Sequence, residues 1–450
     1  MVLLGNGLRS VISSTVFVSE GNFASFLNIS VNQTSVILEL LLGAVLLSLL
    51  ITPRLRLTFG TRQLATVMCA AAGLASLGLA ALFWISPSVV VREIFVIILF
   101  PLIGFSLASL APLAQVMTGW GGDKYEKFLT GVWAVAMPAA FLVTPQLVKI
   151  VAPRFGLDVY FVGFALFPLL LIPLIWSKKI DLDNQEVEIT ATKPIFPLVP
   201  ALICLAGFQI STIFITLFGI GDVKSQIGLG VFALTIIYFV QSLRRGRDPG
   251  KKQSGNGYVI SVFAILFLIN IPTTGFYDTA YLVAHSCSNT LIADRATFGA
   301  LIQLLAATAT AAILARYALK NEMIFLGCLL ATLGVGTYLL YINYPFVPVY
   351  FVSKAIVGLG MGILTTSAIF AVSYSSQGSS LSLLIAFVII IGTEVGLELF
   401  EVTFQVSEIL GSSLDGSYSL IFALQLAFAV MAFLLALRML LVKSGDDQTV

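Results

Sequence analysis

The sequence predicts an all-α, polytopic membrane protein with about fourteen transmembrane helices. Of its 450 residues, 58% are apolar and only 10% carry a charge, and the mean hydropathy is +1.03. Soluble domains carry about 25% charged residues because their surfaces face water. Long apolar runs recur along the whole chain, and most approach the roughly 20 residues that a helix needs to cross the hydrocarbon core. Most of the outer surface is therefore expected to face lipid.

The boundaries of the predicted helices follow the Pro, Gly and charge clusters that interrupt the apolar runs. The first span contains the acidic Glu20, and the eighth span is short. In chain order, the predicted spans are 10–28, 36–53, 63–85, 92–117, 128–150, 157–176, 196–218, 226–243, 257–284, 294–315, 322–342, 348–373, 379–404 and 417–441.

The distribution of basic residues predicts the orientation, because cytoplasmic loops carry more Lys and Arg than outer loops. With fourteen spans and both termini inside, the cytoplasmic segments hold 18 of the 24 basic residues and the outer segments hold five. Deleting the first span would invert this bias. We therefore predict a multi-pass protein of the plasma or inner membrane with both termini in the cytoplasm.

The spans group into three pieces, which predicts two six-helix bundles and an inserted helix pair. Residues 1–176 form the N-terminal bundle, 177–256 a linker with two extra transmembrane helices, and 257–450 the C-terminal bundle. A short internal sequence similarity between the two bundles indicates a duplication. Cys69 follows the start of the third span at the same interval at which Cys328 follows the start of the eleventh.

Short motifs in the first half of the chain match a known family in part. The corner at residues 53–62 sits where that family has Gly-x-Leu-Ala-Asp-Arg-x-Gly-Arg, and Gly60 and Arg62 match. The family's Asp and inner Arg are replaced by Leu57 and Thr58. In the fourth span, residues 100–106 align with the family's Arg-x-x-Gln-Gly-x-Gly motif. Gly104 matches, and Phe100 takes the place of the arginine.

Motifs in later spans extend the match. The fifth span has Thr144-Pro145 where the family has Gly-Pro, and the twelfth keeps a cation, Lys354, ahead of its glycines. The thirteenth span, at residues 392–396, is similar to a Gly-Gln-x-x-Gly stretch. Together with the layout of spans, these motifs make the chain resemble the major facilitator superfamily, specifically its fourteen-span drug:proton antiporter branch.

The resemblance implies transport by two bundles that rock about a central cavity. It implies that the first, fourth, ninth and twelfth spans line this cavity, and that Glu20 and Lys354 lie close to it. The implied partners are a small amphipathic or cationic substrate, protons or possibly sodium, and membrane lipids, for a monomer without a cofactor. Because motif charges are lost at Leu57, Thr58 and Phe100, a carrier without proton coupling stays open.

Ionisable residues inside the predicted spans are the candidates for proton coupling, since each costs about 3 kcal/mol or more in a bilayer. Glu394, Glu398 and Glu401 fall within about 60° of one another on a helix and form one stripe. Ionised together they would repel one another, so at least one of them is expected to be protonated or paired. Glu20, Glu394 and Glu398 are the proton-coupling candidates. The alternative is that the stripe faces a water-filled vestibule or holds helices together.

Lys354 is the basic residue placed inside a span, and we predict that it pairs with Glu394 or Glu398. The ninth span contains Asp278, and Pro272 and Gly275 can break its helix as in ligand-lining transporter helices. The substrate-cavity candidates are Asp278, Phe276, Tyr277 and Phe100. Aromatic belts at the membrane interface explain the aromatic residues equally well.

Several classes of function are not supported by the composition. A net charge of +2 indicates no nucleic-acid surface, and four scattered cysteines with one histidine indicate neither a disulfide framework nor a metal site. No phosphate-binding loop or catalytic motif appears, so we expect no enzyme. The leading hypothesis is a secondary transporter that exports a small amphipathic or cationic compound against proton entry. The alternatives are an uncoupled or differently coupled carrier or flippase of a lipid or metabolite, and a membrane sensor or scaffold.

Overall fold

The computed structural model describes residues 31–85, 87–118, 122–177, 198–245, 256–273, 276–374 and 384–446. Within these ranges the regular structure is helical. The helices are α1 Val31–Phe59, α2 Thr61–Ile85, α3 Val89–Thr118, α4 Gly122–Phe155, α5 Leu157–Ile175, α6 Leu198–Phe218, α7 Val223–Arg245, α8 Asn256–Asn270, α9 Phe276–Ala284, α10 Asn289–Arg316, α11 Lys320–Gly336, α12 Leu339–Asn343, α13 Val347–Ser373, α14 Ile385–Ile409 and α15 Leu414–Asp446. The first predicted span, with Glu20, lies outside the described residues.

The predicted second to fourteenth spans each coincide with a helix or with a pair of short helices. The ninth span is broken into α8 and α9, with a turn at Ile271–Thr273 that contains Pro272, a residue type that can kink or break a helix. Gly275, the second predicted breaker, lies outside the described part. The eleventh span is also interrupted, between α11 and α12, which the sequence did not indicate. The total of fourteen spans remains a prediction.

The described helices have the length and apolarity of an integral, multi-pass membrane protein. Ten of them are long and apolar enough to cross a bilayer. Helix α14 is not among these ten, because Glu394, Glu398 and Glu401 interrupt its apolar sequence. Many large apolar side chains on the helices are exposed, such as Leu74 at 64% and Leu234 at 67%. Such a surface is stable when lipid covers it.

The chain divides into two compact units, which are described separately. The first unit comprises Met1–Gly122 and Val143–Lys251, and the second comprises Asp123–Leu142 and Lys252–Val450. Residues 123–142 of α4 therefore belong to the second unit. The two units are thus not continuous in sequence. The predicted domain boundaries at residues 176 and 256 remain predictions.

The two units repeat one pattern of helix packing. In the first unit, α3 packs against α1 and α2, and α2 packs against α5. In the second unit, α13 packs against α10 and α11, and α11 packs against α15. These helices correspond one to one if spans two, three, four and six match spans ten, eleven, twelve and fourteen. Cys69 and Cys328, which carry the internal sequence similarity, are both fully buried at the ninth position of α2 and of α11. The repeated packing supports the predicted duplication.

Helices α6 and α7, the predicted extra pair, pack against each other within the first unit, and α6 packs against α1. Gly43 of α1 lies directly against the side chain of Gln209 on α6, at a distance that leaves no room for a Cβ atom. One turn away, the Glu39 carboxyl of α1 lies close to the Thr212 side chain of α6. Polar contacts between helices are one way to hold them together where lipid supplies no hydrophobic driving force.

The corner between α1 and α2 retains part of the family motif. Gly60 has a φ of +74°, a conformation that glycine adopts without steric cost, and it ends α1. The Nε atom of Arg56 donates a hydrogen bond to the Thr61 hydroxyl at 3.1 Å. Arg62 lies 5.3 Å from the centroid of the Trp176 ring. Gly60 and Arg62, the two positions that matched in the sequence, thus shape the turn and contact the end of α5.

Candidate functional site

A cluster of three charged side chains lies inside the second unit. Asp278 of α9, Arg295 of α10 and Lys354 of α13 meet there, and the side chains of Asp278 and Arg295 are 0% exposed. Arg295 Nη2 forms an ion pair with Asp278 Oδ2. The Lys354 Nζ atom lies 3.3 Å from the same oxygen, and the Lys354 side chain is 17% exposed. One carboxylate oxygen thus faces two cations.

Arg295 is held by two further hydrogen bonds. Its Nε atom donates to the Tyr350 carbonyl oxygen at 3.1 Å, and Nη2 donates to the Tyr341 hydroxyl at 2.9 Å. Its Nη1 atom is buried and has no hydrogen-bond partner among the described residues. The guanidinium group therefore joins α9, α12 and α13 from its position on α10.

The break between α8 and α9 positions Asp278. Pro272 is buried in the turn after α8, and the Thr273 hydroxyl donates to the Ile269 carbonyl at 2.8 Å. Helix α9 then begins at Phe276, which places Asp278 in its first turn. A carboxylate in the first turn is stabilised by the helix dipole and by free backbone N–H groups. The same break shortens α9 to nine residues.

Aromatic rings surround the cluster on the side of α12 and α15. The rings of Tyr341 and Tyr350 meet edge to face at 4.8 Å, and Tyr338 lies 5.4 Å from Tyr341. Tyr281 of α9 packs against Tyr341 and Phe422 at 5.9 and 5.7 Å. Apolar ring faces exclude water, so the charges act on one another in a medium of low dielectric constant.

Helix α14, which carries the acidic stripe, packs against the same broken helix. Glu394 is 3% exposed, and glycines on either side of it, Gly392 and Gly396, abut the backbone of Phe267 and Ile271 at the end of α8. Both approaches are too close for a Cβ atom. Because of these glycines, α14 approaches the end of α8 closely, whereas Glu394 lies on the opposite side of α14, about 160–200° around the helix from them.

The third member of the stripe bonds directly to α9. Glu401 accepts a hydrogen bond from the Tyr277 hydroxyl at 3.0 Å and one from Gln405 Nε2 at 2.8 Å. Tyr277 and Asp278 are neighbours in sequence. Helix α9 therefore carries adjacent side chains, one bonded to the acidic stripe and the other to the cation cluster.

The structure changes one predicted pairing and leaves others open. The ion pair of Lys354 is with Asp278, whereas the sequence predicted Glu394 or Glu398. Phe100 is 1% exposed and packs edge to face on Phe161 at 6.3 Å, within the apolar core of the first unit. Tyr277 is buried between α9 and α14. Glu20 and the Phe276 side chain lie outside what the structure describes.

Arg295 is the site residue that sequence reasoning missed. The predicted tenth span began at residue 294, and Arg295, at the very edge of that span, was counted with the outer loop. In the structure α10 begins at Asn289, with the Ser288 hydroxyl accepting from the Leu291 amide at 3.2 Å as an N-cap. The Ser-Asn sequence ahead of the apolar run was the available signal. With this earlier start of α10, Arg295 lies nearly two turns inside the helix.

The described residues contain no group of three or more His, Cys, Asp or Glu side chains that could hold a metal ion. Their charges instead form an anion–cation cluster and a carboxylate stripe. Such groups bind protons and charged substrates.

Comparison with known proteins identifies the fold. Neither a family's sequence profile nor a curated protein sequence matches the chain. Among solved structures, a proton:xylose symporter of the major facilitator superfamily (XylE) superposes over 97% of this chain and 94% of its own, with a TM-score of 0.63 at 13% identity. A peptide transporter (POT) gives 0.62 at 17% identity over 97% and 94%, and the human organic anion transporter TETRAN gives 0.62 at 15% identity over 97% of each chain. The chain has the fold of major facilitator superfamily transporters.

Proposed function

We propose that this protein is a secondary active transporter of the major facilitator superfamily, and that it exports a small amphipathic or cationic compound against proton entry. The observation that carries the proposal is the position of α9 between the acidic stripe and the cation cluster. A coupled transporter needs one group that binds protons, another that binds substrate, and a rigid element that both contact.

The solved structures of the same fold support transport as the task but do not narrow the substrate. Their names describe proteins that act on a sugar, on peptides and on organic anions. At 13–17% identity the likeness extends to the fold alone. The function is therefore argued from the site.

The acidic stripe supplies the proton-binding groups in this mechanism. Protonation of Glu394 or Glu398 removes a charge from a face that also carries Glu401, and so changes the repulsion within the stripe. Glu401 is bonded to Tyr277, so a shift of the stripe moves α9. That motion changes the distance from Asp278 to Lys354, which alters substrate binding. Glu20 remains a second coupling candidate from the sequence.

A carrier without proton coupling is the second candidate. Phe100, in the position of the family's arginine, is an apolar core residue, so the first unit lacks a charge at that place. Such a carrier would use the cation cluster for substrate and the stripe for packing only.

Flux into proteoliposomes separates these candidates. The probes are labelled naphthalene derivatives of matched size that carry a sulfonate, a neutral sulfonamide or a quaternary ammonium, with protein-free vesicles as background. We expect an imposed pH gradient to drive accumulation of at least one probe and a protonophore to abolish it. Glu394→Gln with Glu398→Gln should lower the gradient-driven rate about tenfold or more, in the range of a lost proton-transfer group.

The matched control is Glu322→Gln, an exposed carboxylate at the start of α11, which should transport as the wild type does. Flux that the protonophore and the double substitution leave unchanged would establish the uncoupled carrier instead. Binding of every probe without flux would point to a sensor.

A further inference from the structure

The charges of the cluster in the second unit indicate which class of substrate it binds. This inference rests on the proposed transport function. The cluster has one carboxylate, Asp278, and two cations, Arg295 and Lys354. Among the described residues, the charged groups that act on Lys354 are Asp278 and Arg295. With both cations protonated, the cluster has a surplus of one positive charge.

The two cations do not share the carboxylate equally. Arg295 is fully buried, forms the closer ion pair with Asp278 and is fixed by Tyr341 and the Tyr350 carbonyl. Lys354 approaches the same oxygen at 3.3 Å and keeps 17% of its side chain exposed. Arg295 thus neutralises Asp278, and the surplus charge lies on Lys354.

A surplus cation inside a membrane protein is costly unless an anion accompanies it. An ammonium group has three N–H donors, and Asp278 is the one acceptor that the described structure gives Lys354. The buried Nη1 of Arg295 is a further donor without a described partner. The donors that remain suit an oxyanion, which offers several acceptors and a negative charge.

We propose that Lys354 binds the anionic group of the transported compound, which is therefore a small amphipathic anion such as a carboxylate or a sulfonate. Arg295 acts as a positioning residue that holds Asp278, and Asp278 competes with the substrate anion for the ammonium. With the anion bound, two negative charges balance two positive charges. A cationic substrate would add to the surplus positive charge of the cluster. Of the two substrate classes that the sequence left open, amphipathic or cationic, the inference therefore favours an amphipathic one.

The test is equilibrium binding to the purified full-length protein in detergent, with no ion gradient. Thermal stabilisation is measured with benzene and naphthalene derivatives bearing a carboxylate, a sulfonate, the corresponding neutral amide or sulfonamide, or a quaternary ammonium. We expect stabilisation by at least one anion and about tenfold weaker or no effect of its neutral counterpart, since a hydrogen bond to a charged group is lost.

Substitutions assign the effect to Lys354. Lys354→Gln should weaken binding of that anion about tenfold or more, and Lys354→Arg should retain most of it, because the charge remains. Lys224→Gln, which removes an exposed lysine that lies over Phe218, is the matched control and should bind as the wild type does. Asp278→Asn removes the internal competitor and should strengthen anion binding several-fold. This gain would not follow from a purely structural role, and it also tests the proposal if Lys354→Gln does not fold.

Three outcomes would overturn the inference: no anion stabilises the wild type, the quaternary ammonium stabilises it best, or Lys354→Gln and Asp278→Asn bind the anion as the wild type does. The result is separate from that of the flux experiment. Anion binding with flux that ignores protons would refute the proposed coupling alone. Proton-driven flux of the quaternary ammonium without anion binding would refute the substrate class alone.

Discussion

Arg295 shows how much one side chain can organise inside a membrane protein. Its planar guanidinium group binds Asp278 of α9, the Tyr341 hydroxyl of α12 and the Tyr350 carbonyl of α13 at once. A lysine offers the same charge but no fixed fork of donors. The three contacts therefore require arginine for their geometry as well as for its charge.

Replacing Arg295 should reveal both contributions. Arg295→Gln leaves a fully buried carboxylate with Lys354 as its partner, and we expect a loss of about 3–5 kcal/mol in the free energy of unfolding. Arg295→Lys keeps the charge and should lose about 1–3 kcal/mol, the range for buried donors and acceptors left unpaired. Thermal unfolding of the purified protein measures both. Arg438→Gln, at an exposed position of α15, is the control and should change the midpoint little. Equal midpoints for all three variants would show that the guanidinium contributes nothing.

Sequence reasoning found some of these charges and missed how they pair. Asp278 and Lys354 could be singled out because an ionisable group in an apolar span is costly. The partner of Lys354 could not be predicted, because sequence periodicity places a side chain on one face of its own helix and does not say which helices are neighbours. The long Lys354 side chain reaches Asp278 of α9 rather than the stripe of α14. Arg295 was assigned to the loop because the start of α10 lies five residues earlier than predicted.

At the scale of elements, glycines on α13 decide how closely its neighbours approach. A Cβ atom added at Gly360 would collide with the backbone amide of Ala331 on α11, and one at Gly362 would lie 2.5 Å from the Gln303 carbonyl oxygen on α10. The opposed contacts hold α13 between two helices. Small residues at such places allow the close packing that membrane helices depend on.

A glycine-to-alanine pair tests this packing. Gly360→Ala forces α11 away and should lower the free energy of unfolding by about 1–3 kcal/mol, seen as a lower thermal midpoint. Gly230→Ala lies within α7, where nothing is within 4 Å of the added atom. It should raise stability by up to about 1 kcal/mol, because alanine favours the helix. A Gly360→Ala midpoint at or above that of Gly230→Ala would exclude close packing as the reason for this glycine.

The helix bounds were largely predictable because the thickness of the bilayer core fixes their length. Pro272 also marked the break in the ninth span. The end of α11 at Gly336 was not predictable, since the segment stays apolar through Thr337 and Tyr338. At this turn Tyr338 packs on Tyr341, and Tyr341 lies beneath Arg295, contacts between distant parts of the chain that periodicity does not reveal.

At the scale of the whole molecule, the basic residues predict an orientation that native cysteines can report. Cys287 is part-exposed in the connection between α9 and α10, which the orientation predicts to be outside. Cys69 and Cys328 are buried, and Cys204 is part-exposed within α6. Cys287 is therefore the thiol in the described structure that an aqueous reagent reaches from the predicted outer face.

We expect a membrane-impermeant maleimide to label intact cells that express the protein, with the label lost in Cys287→Ser and kept in Cys328→Ser. Mass spectrometry of the labelled peptide would check the site. Labelling of Cys287 that appears only after the cells are permeabilised would reverse the orientation and place both termini outside. The helix packing would be unaffected by that result.

The adjacency of Tyr277 and Asp278 on α9 has a thermodynamic consequence. Neighbouring residues on a helix are rotated by about 100° about its axis, so the two side chains face different partners from one rigid segment of nine residues. Such a segment cannot move one contact and spare the other. If anion binding and proton binding are linked through it, each must change the affinity of the other by the same factor. A pH titration at fixed anion and an anion titration at fixed pH should then yield one coupling free energy, whichever direction the cell uses.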